Sequence, residues 1–234
     1  MTRGSHVAIA VLAWAAFGSV SATAEPLIYG VQVEQAERRF DDGSDVYAWD
    51  FDALVGTDEL KVVWRSEAEY LTEGSRFETL ENQLRLQKPI STFFDAVVGV
   101  RVDTPRGEDR VYGVVGVKGL APQWFEVDAD LYLGETSFVR IEAEYEGLIT
   151  NRIILTPSVE LDTPLGDDAA LGVGGFAPKL EVGARLSYDL LDRAISPYVG
   201  VHYERLFGET AERAREEGGQ RDTLYFVVGT KVLF

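Results

Sequence analysis

The 234-residue chain contains no cysteine, one methionine and two histidines. Without thiols, neither disulfides nor thiolate metal sites can form. Cations are scarce: 22 Lys and Arg stand against 39 Asp and Glu, a formal net charge of −17. That balance argues against nucleic acid as a partner, because phosphate recognition rests on basic surface. Long apolar runs are also nearly missing. The one at residues 7–20 falls short of the roughly 20 residues an apolar helix needs to cross a bilayer, which disfavours a helical anchor. With Arg3 and His6 ahead of it and Ala22-Thr23-Ala24 behind, residues 1–24 read as an export signal cleaved before Glu25. The remaining chain, 25–234, loses one Arg and no acid, giving −17 − 1 = −18. It has no methionine and a single histidine, His202.

What the chain does have is alternation. In the last stretch Leu224, Phe226, Val228, Thr230, Val232 and Phe234 share one face, with Tyr225, Val227, Gly229, Lys231 and Leu233 on the other. About twelve such segments follow residue 25, each near the 9–11 residues of a tilted barrel strand. One sets Val139, Ile141, Ala143 and Tyr145 against Arg140, Glu142, Glu144 and Glu146. Another sets Phe125, Val127, Ala129, Leu131 and Leu133 against Trp124, Glu126, Asp128, Asp130 and Tyr132. Asn82 breaks the pattern of its segment, and the facing of 111–120 is ambiguous.

Magnitude assigns the faces. A Lys or Arg in the middle of a bilayer costs roughly 2–4 kcal/mol, and an acid somewhat less. Turning the 139–146 segment outward would place four such groups in hydrocarbon, so the charged face must line a lumen. Short turns near 57–58, 89–92, 121–122 and 150–151 alternate with longer polar links at 71–77, 104–110, 163–175 and 207–222. That asymmetry belongs to outer-membrane barrels, whose last strand must close on the first to leave no edge in lipid. The expected fold is all-β: a transmembrane up-and-down antiparallel barrel of about twelve strands over 25–234. A soluble β-sandwich or lipocalin-like barrel would alternate too. The strand number, the export signal, terminal Phe234 and the rim aromatics (Tyr47, Trp49, Trp64, Tyr70, Tyr188, Tyr203) favour the membrane form.

The run Gly116-Val117-Lys118-Gly119-Leu120-Ala121-Pro122-Gln123-Trp124-Phe125-Glu126-Val127 resembles a distinctive block of the copper resistance protein B family of outer-membrane proteins. Three other stretches resemble the same family in the same order. They are Gly99 to Asp103, Glu142 to Glu146 with Arg152 and Pro157, and Ser196 to Val201 with Glu204-Arg205, Phe207-Gly208 and Thr210-Ala211. The resemblance implies an outer-membrane barrel serving copper homeostasis and resistance. Its implied partners are membrane lipid, copper ions and a periplasmic copper-handling protein. The Met- and His-rich N-terminal extension of many members has no counterpart between Glu25 and Leu27. Tyr203 stands where the family commonly has Trp, and Leu206 where a basic residue is frequent.

Copper(I) favours thiolate and thioether, whereas copper(II) favours imidazole with oxygen. Only the second can be served by side chains of residues 25–234. His202 and Glu204, at i and i+2 on one strand face, are the candidate metal ligands. Two acidic ladders, Glu126/Asp128/Asp130 and Glu142/Glu144/Glu146, fall on segments expected to be neighbours and would attract divalent cations. The plainer alternative is a lumen lining cross-paired with Lys61, Arg65, Arg85, Arg101, Arg140 and Arg185, in an unselective or structural pore. A barrel lipid hydrolase is the reading least favoured. Catalysis of that kind needs a nucleophile beside a base, and His202 has no Ser at i±2, leaving only a cross-strand Ser187. The expected protein is therefore not an enzyme.

Overall fold

The computed structural model describes residues 26–41, 45–104, 109–191, 193–216 and 218–234. Residues 1–24, read above as an export signal, lie outside them. Twelve antiparallel strands follow in chain order: β1 (Ile28–Phe40), β2 (Val46–Gly56), β3 (Lys61–Leu71), β4 (Arg76–Pro89), β5 (Phe94–Thr104) and β6 (Arg110–Ala121). They continue as β7 (Phe125–Leu133), β8 (Phe138–Tyr145, resumed at Gly147–Leu148), β9 (Ile153–Pro164), β10 (Lys179–Tyr188), β11 (Ile195–Leu206) and β12 (Asp222–Leu233).

Each strand pairs with its chain neighbours, and β12 pairs back onto β1 from Phe226↔Phe40 to Leu233↔Gln32. The terminal Phe234 is part of this seam. Its amide donates to the Val31 carbonyl and its carbonyl accepts from the Val31 amide, both at 2.9 Å. Among the described residues closure leaves no strand edge unpaired, as a barrel requires. A refolded sample should therefore migrate differently on a detergent gel before and after boiling. Identical mobility would mean that no closed barrel had formed.

The two faces separate as the alternation requires. Arg85 is 0% exposed while its neighbours Leu84 and Leu86 are 53% and 44% exposed. On the outside of β2–β4, edge-on pairs join Phe51 to Trp64 at 5.0 Å, Trp49 to Phe77 at 5.7 Å and Tyr70 to Phe77 at 5.1 Å between centroids. These rings also account for Asn82. The Trp64 indole N–H donates to its Oδ1 at 3.4 Å, and the Trp49 indole donates to Ser66 Oγ at 3.4 Å. An indole on an apolar surface needs such a partner. In β6, Tyr112 and Val114 turn inward and Val111 and Val115 outward. The same parity brings Gly116 inward, where any Cβ would overlap the Asp130 carboxylate.

One local expectation needs correction, and two features lie outside what alternation announces. Trp124 is not on the inner face of β7. It belongs to a short 3-10 turn at Pro122–Trp124, has φ +69° and is 71% exposed. Within the long polar link 207–222, Gly208–Glu216 forms a helix, α1. Glu209 in its first turn and Arg213 and Arg215 in its last complement the helix dipole. In β1 a bulge near Val33–Gln35 shifts the register. Beyond it the parity inverts, bringing Glu37 and Arg39 inward.

Candidate metal centre in the lumen

Inside the barrel, a cavity of about 710 Å³ runs from Leu171 and Arg221 at the loop end to Glu126 and Glu144 toward the short turns. The lumen around it is crossed by a lattice of ion pairs. Arg85 on β4 reaches Asp128 and Asp130 on β7 at 3.0 and 2.8 Å. Arg65 bridges Asp52 and Asp128, both at 3.1 Å. Arg140 on β8 contacts Glu67 at 2.9 Å, Glu81 at 3.2 Å, Glu160 at 3.1 Å and Asp162 at 2.8 Å. Arg101 joins Glu81 at 2.7 Å to Asp103 at 2.6 Å. Arg185 meets Glu37 at 2.9 Å, and Lys61 meets Asp95 at 3.1 Å. Such pairs hold together because each buried charge keeps an opposite partner and its hydrogen bonds.

The two acidic ladders do lie on adjacent strands. Glu126 faces Glu144 and Asp128 faces Glu142, while Asp130 stands opposite Arg140. They do not form one uncompensated wall. Asp128 and Asp130 are taken by arginines, and Glu144 is held by Lys231 on β12 at 3.0 Å. Glu146 departs from the expected lining. It lies beyond Tyr145, is exposed, and stands 3.6 Å from Arg193 at the short-turn rim. Among the described residues Glu126 and Glu142 make no ion pair, and both border the cavity.

Near the loop end of the cavity stands a group of different chemistry. The β10–β11 register places Glu181 opposite Glu204 and Gly183 opposite His202. His202 Nε2 lies 3.1 Å from Glu181 Oε2 and 3.2 Å from Glu204 Oε1. One nitrogen and two carboxylate oxygens converge within 4.8 Å of one another. Donors held about 2.0–2.2 Å from one divalent ion stand about 3 Å apart when adjacent, so this spacing fits a bound ion. The N,O,O set suits copper(II), and with no cysteine and no methionine among residues 25–234 it offers copper(I) no soft sulfur ligand. His202 is 4% exposed, and its Nδ1 is buried with no hydrogen-bond partner. Two cations also touch the carboxylates. Lys179 Nζ is 2.6 Å from Glu181 and 3.4 Å from Glu204, and Arg39 is 3.4 Å from Glu204.

The sequence pairs His202 with Glu204 and does not point to Glu181, Lys179 or Arg39. The first two were within range, since they share the inward face of β10. Arg39 was hidden by the bulge. Ser187 does not join the group. It sits four residues along β10 from Gly183, and its hydroxyl is 3.4 Å from the Ile154 carbonyl oxygen.

Over this end of the cavity lies the 165–178 loop, packed on α1. Gly174 donates to Thr210 Oγ1 at 3.0 Å, and Thr210 in turn donates to the Ala177 carbonyl at 3.1 Å. Asp168 ties the loop to the far rim through Arg110 and through Thr136 Oγ1 at 2.9 Å. Burial alone would raise the Asp168 pKa. Hydrogen bonds from Arg110, Thr136 and the Leu171 amide outweigh it and hold the carboxyl below its ordinary value. A depressed carboxyl stabilises the folded loop fully above its ordinary value, near 3.9, and ceases to as pH falls through the lowered one. Amide-exchange protection across 165–178, taken relative to the intrinsic rate at each pH, should therefore fall below about pH 4. In Asp168→Asn it should be low already at neutral pH, and strong protection there would remove the tie.

The family model described as Copper resistance protein B precursor (CopB) matches residues 27–234. The chain belongs to the copper resistance protein B family. It is 31% identical over 225 residues to Copper resistance protein B of Escherichia coli, covering 94% of this chain and 75% of that protein. It is 34% identical over 195 residues to the Copper resistance protein B homolog of Pseudomonas syringae pv. tomato (strain ATCC BAA-871 / DC3000). That match covers 82% of this chain and 65% of the relative. Among solved structures, the NanC porin superposes with a TM-score of 0.52 at 8% identity, over 88% of this chain and 99% of the porin. At that identity the likeness speaks for the barrel alone.

Proposed function

We propose that this member of the family is an outer-membrane barrel that binds copper(II) in its lumen and thereby contributes to copper homeostasis and resistance. On this reading residues 1–24 are the export signal and 25–234 the barrel domain. The apolar belt faces membrane lipid, and the short-turn side faces the periplasm. Glu181, His202 and Glu204 hold the ion. The observation that carries the reading is the convergence of the imidazole and two carboxylates inside an acid-lined cavity. The family supplies copper as the cargo, and the donor set agrees with its oxidised ion. The protein acts by binding, with no catalytic step. A periplasmic copper-handling protein is the partner such cargo calls for.

Calorimetric titration of the refolded barrel with copper(II) should show one site per chain, and no binding would overturn the proposal. Channel recording tests the acid lining separately. Replacing Glu142 and Glu144 together by alanine should lower cation conductance through the lumen, by analogy with the acidic rings of cation-selective pores. Unchanged conductance would reduce these two residues to structural lining.

A further inference from the structure

The carboxylates of the candidate centre are shared in a regular way. Glu181 turns Oε2 toward His202 Nε2 and Oε1 toward Lys179 Nζ, at 3.1 and 2.6 Å. Glu204 turns Oε1 toward His202 and Oε2 toward Lys179, at 3.2 and 3.4 Å. The ammonium and the imidazole therefore grip the same two carboxylates from opposite sides, each using the oxygens the other leaves. Lys179 and Glu181 occupy alternate positions on β10, and the register brings Glu204 across from Glu181. The geometry is thus fixed by strands rather than by a loop.

Resting on the copper(II) reading given above, we propose that Lys179 makes this centre selective, admitting an imidazole-seeking divalent ion and rejecting calcium. Two carboxylates and one ammonium leave the group with a single net negative charge, before Arg39 is counted. Calcium takes 6–8 oxygen ligands, often with bidentate carboxylates, and gains little from imidazole. To collect both oxygens of Glu181 and Glu204 it must expel the ammonium that occupies half of them. Copper(II) gains strongly from the nitrogen and can accept one oxygen from each carboxylate. It binds on the His202 side with Lys179 still in place. Lys179 is thus a positioning residue: it presents one oxygen of each carboxylate to the imidazole and blocks the other. Arg39 cannot substitute, because its guanidinium is also committed to Glu37 and Glu69.

The experiment measures copper(II) affinity of the refolded barrel by calorimetry, without and with millimolar calcium chloride. Wild type, Lys179→Gln, Lys179→Met, Lys179→Arg and His202→Ala are compared, each checked for the boiled-versus-unboiled gel shift. Wild type should bind copper(II) equally with and without calcium. In Lys179→Gln and Lys179→Met, calcium should compete and weaken apparent copper(II) binding by about tenfold, on the scale of removing one nearby unit charge. Lys179→Arg should restore calcium tolerance, which a merely structural role would not predict. If both neutral variants fold and remain indifferent to calcium while His202→Ala loses copper(II), the role of Lys179 is overturned and the site stands. If His202→Ala binds copper(II) as tightly as wild type, the site is overturned, and this inference with it.

Discussion

Replacing His202 by alanine should weaken copper(II) binding by on the order of 100-fold or more, since losing even an outer partner of a metal ligand typically costs 10–100-fold. The effect should be large because nothing nearby can stand in. Among residues 25–234 there is no second histidine, no cysteine and no methionine. What would remain is Glu181 and Glu204 with Lys179 between them, an ion pair with little cause to exchange its ammonium for copper. His202→Gln should behave like the alanine variant, because an amide keeps the hydrogen bonds and lacks the nitrogen lone pair. Calorimetry on the refolded barrel reads the change directly. Equal affinity in either variant would place the copper elsewhere in the lumen.

The second large effect is on stability. Arg85 is wholly buried, and its guanidinium donates to both oxygens of Asp128 and both of Asp130, at 2.8–3.1 Å. Arg85→Met fills a comparable volume but strands the two carboxylates. Removing one partner of a buried ion pair costs about 3–5 kcal/mol, because the remaining charge stays desolvated. Asp128 keeps Arg65 at 3.1 Å, whereas among the described residues Asp130 retains only the Tyr132 hydroxyl at 3.1 Å. The loss should therefore fall mainly on Asp130. Adding Asp130→Asn to Arg85→Met should recover a measurable part of it, as a double-mutant cycle would show. Urea unfolding in detergent, followed by the gel shift, measures both variants. An unchanged midpoint in Arg85→Met would show that the lumen is wet enough to solvate the freed acids.

The centre at His202 and the knot at Arg85 differ in how far the sequence reveals them. Arg85, Asp128 and Asp130 could each be assigned to the lumen from alternation alone. Which arginine meets which acid could not, since two strands, β5 and β6, separate β4 from β7 and their side chains meet only through barrel closure and strand stagger. Glu181 is a milder case. It shares the inward face of its strand with Lys179, but its place opposite Glu204 depends on the β10–β11 register. That register is set across the short link between Tyr188 and Ile195, and alternation within either strand does not give it. Arg39 is the hardest. A single extra residue in β1 inverts the parity of everything after it, and the sequence Gln35-Ala36-Glu37-Arg38-Arg39 reads equally well on either face.

By itself the sequence determined the class of fold, the number of strands, which face meets the outside and the closure through Phe234. All of these follow from the cost of placing ionisable or unpaired backbone groups in an apolar setting, a penalty that acts on each strand separately. Only the tertiary structure decided the partners across the lumen, the helix over its mouth and the three-donor group at His202. Those depend on stagger, bulge and register, where the competing arrangements bury nearly the same surface and differ only in which charges finally touch.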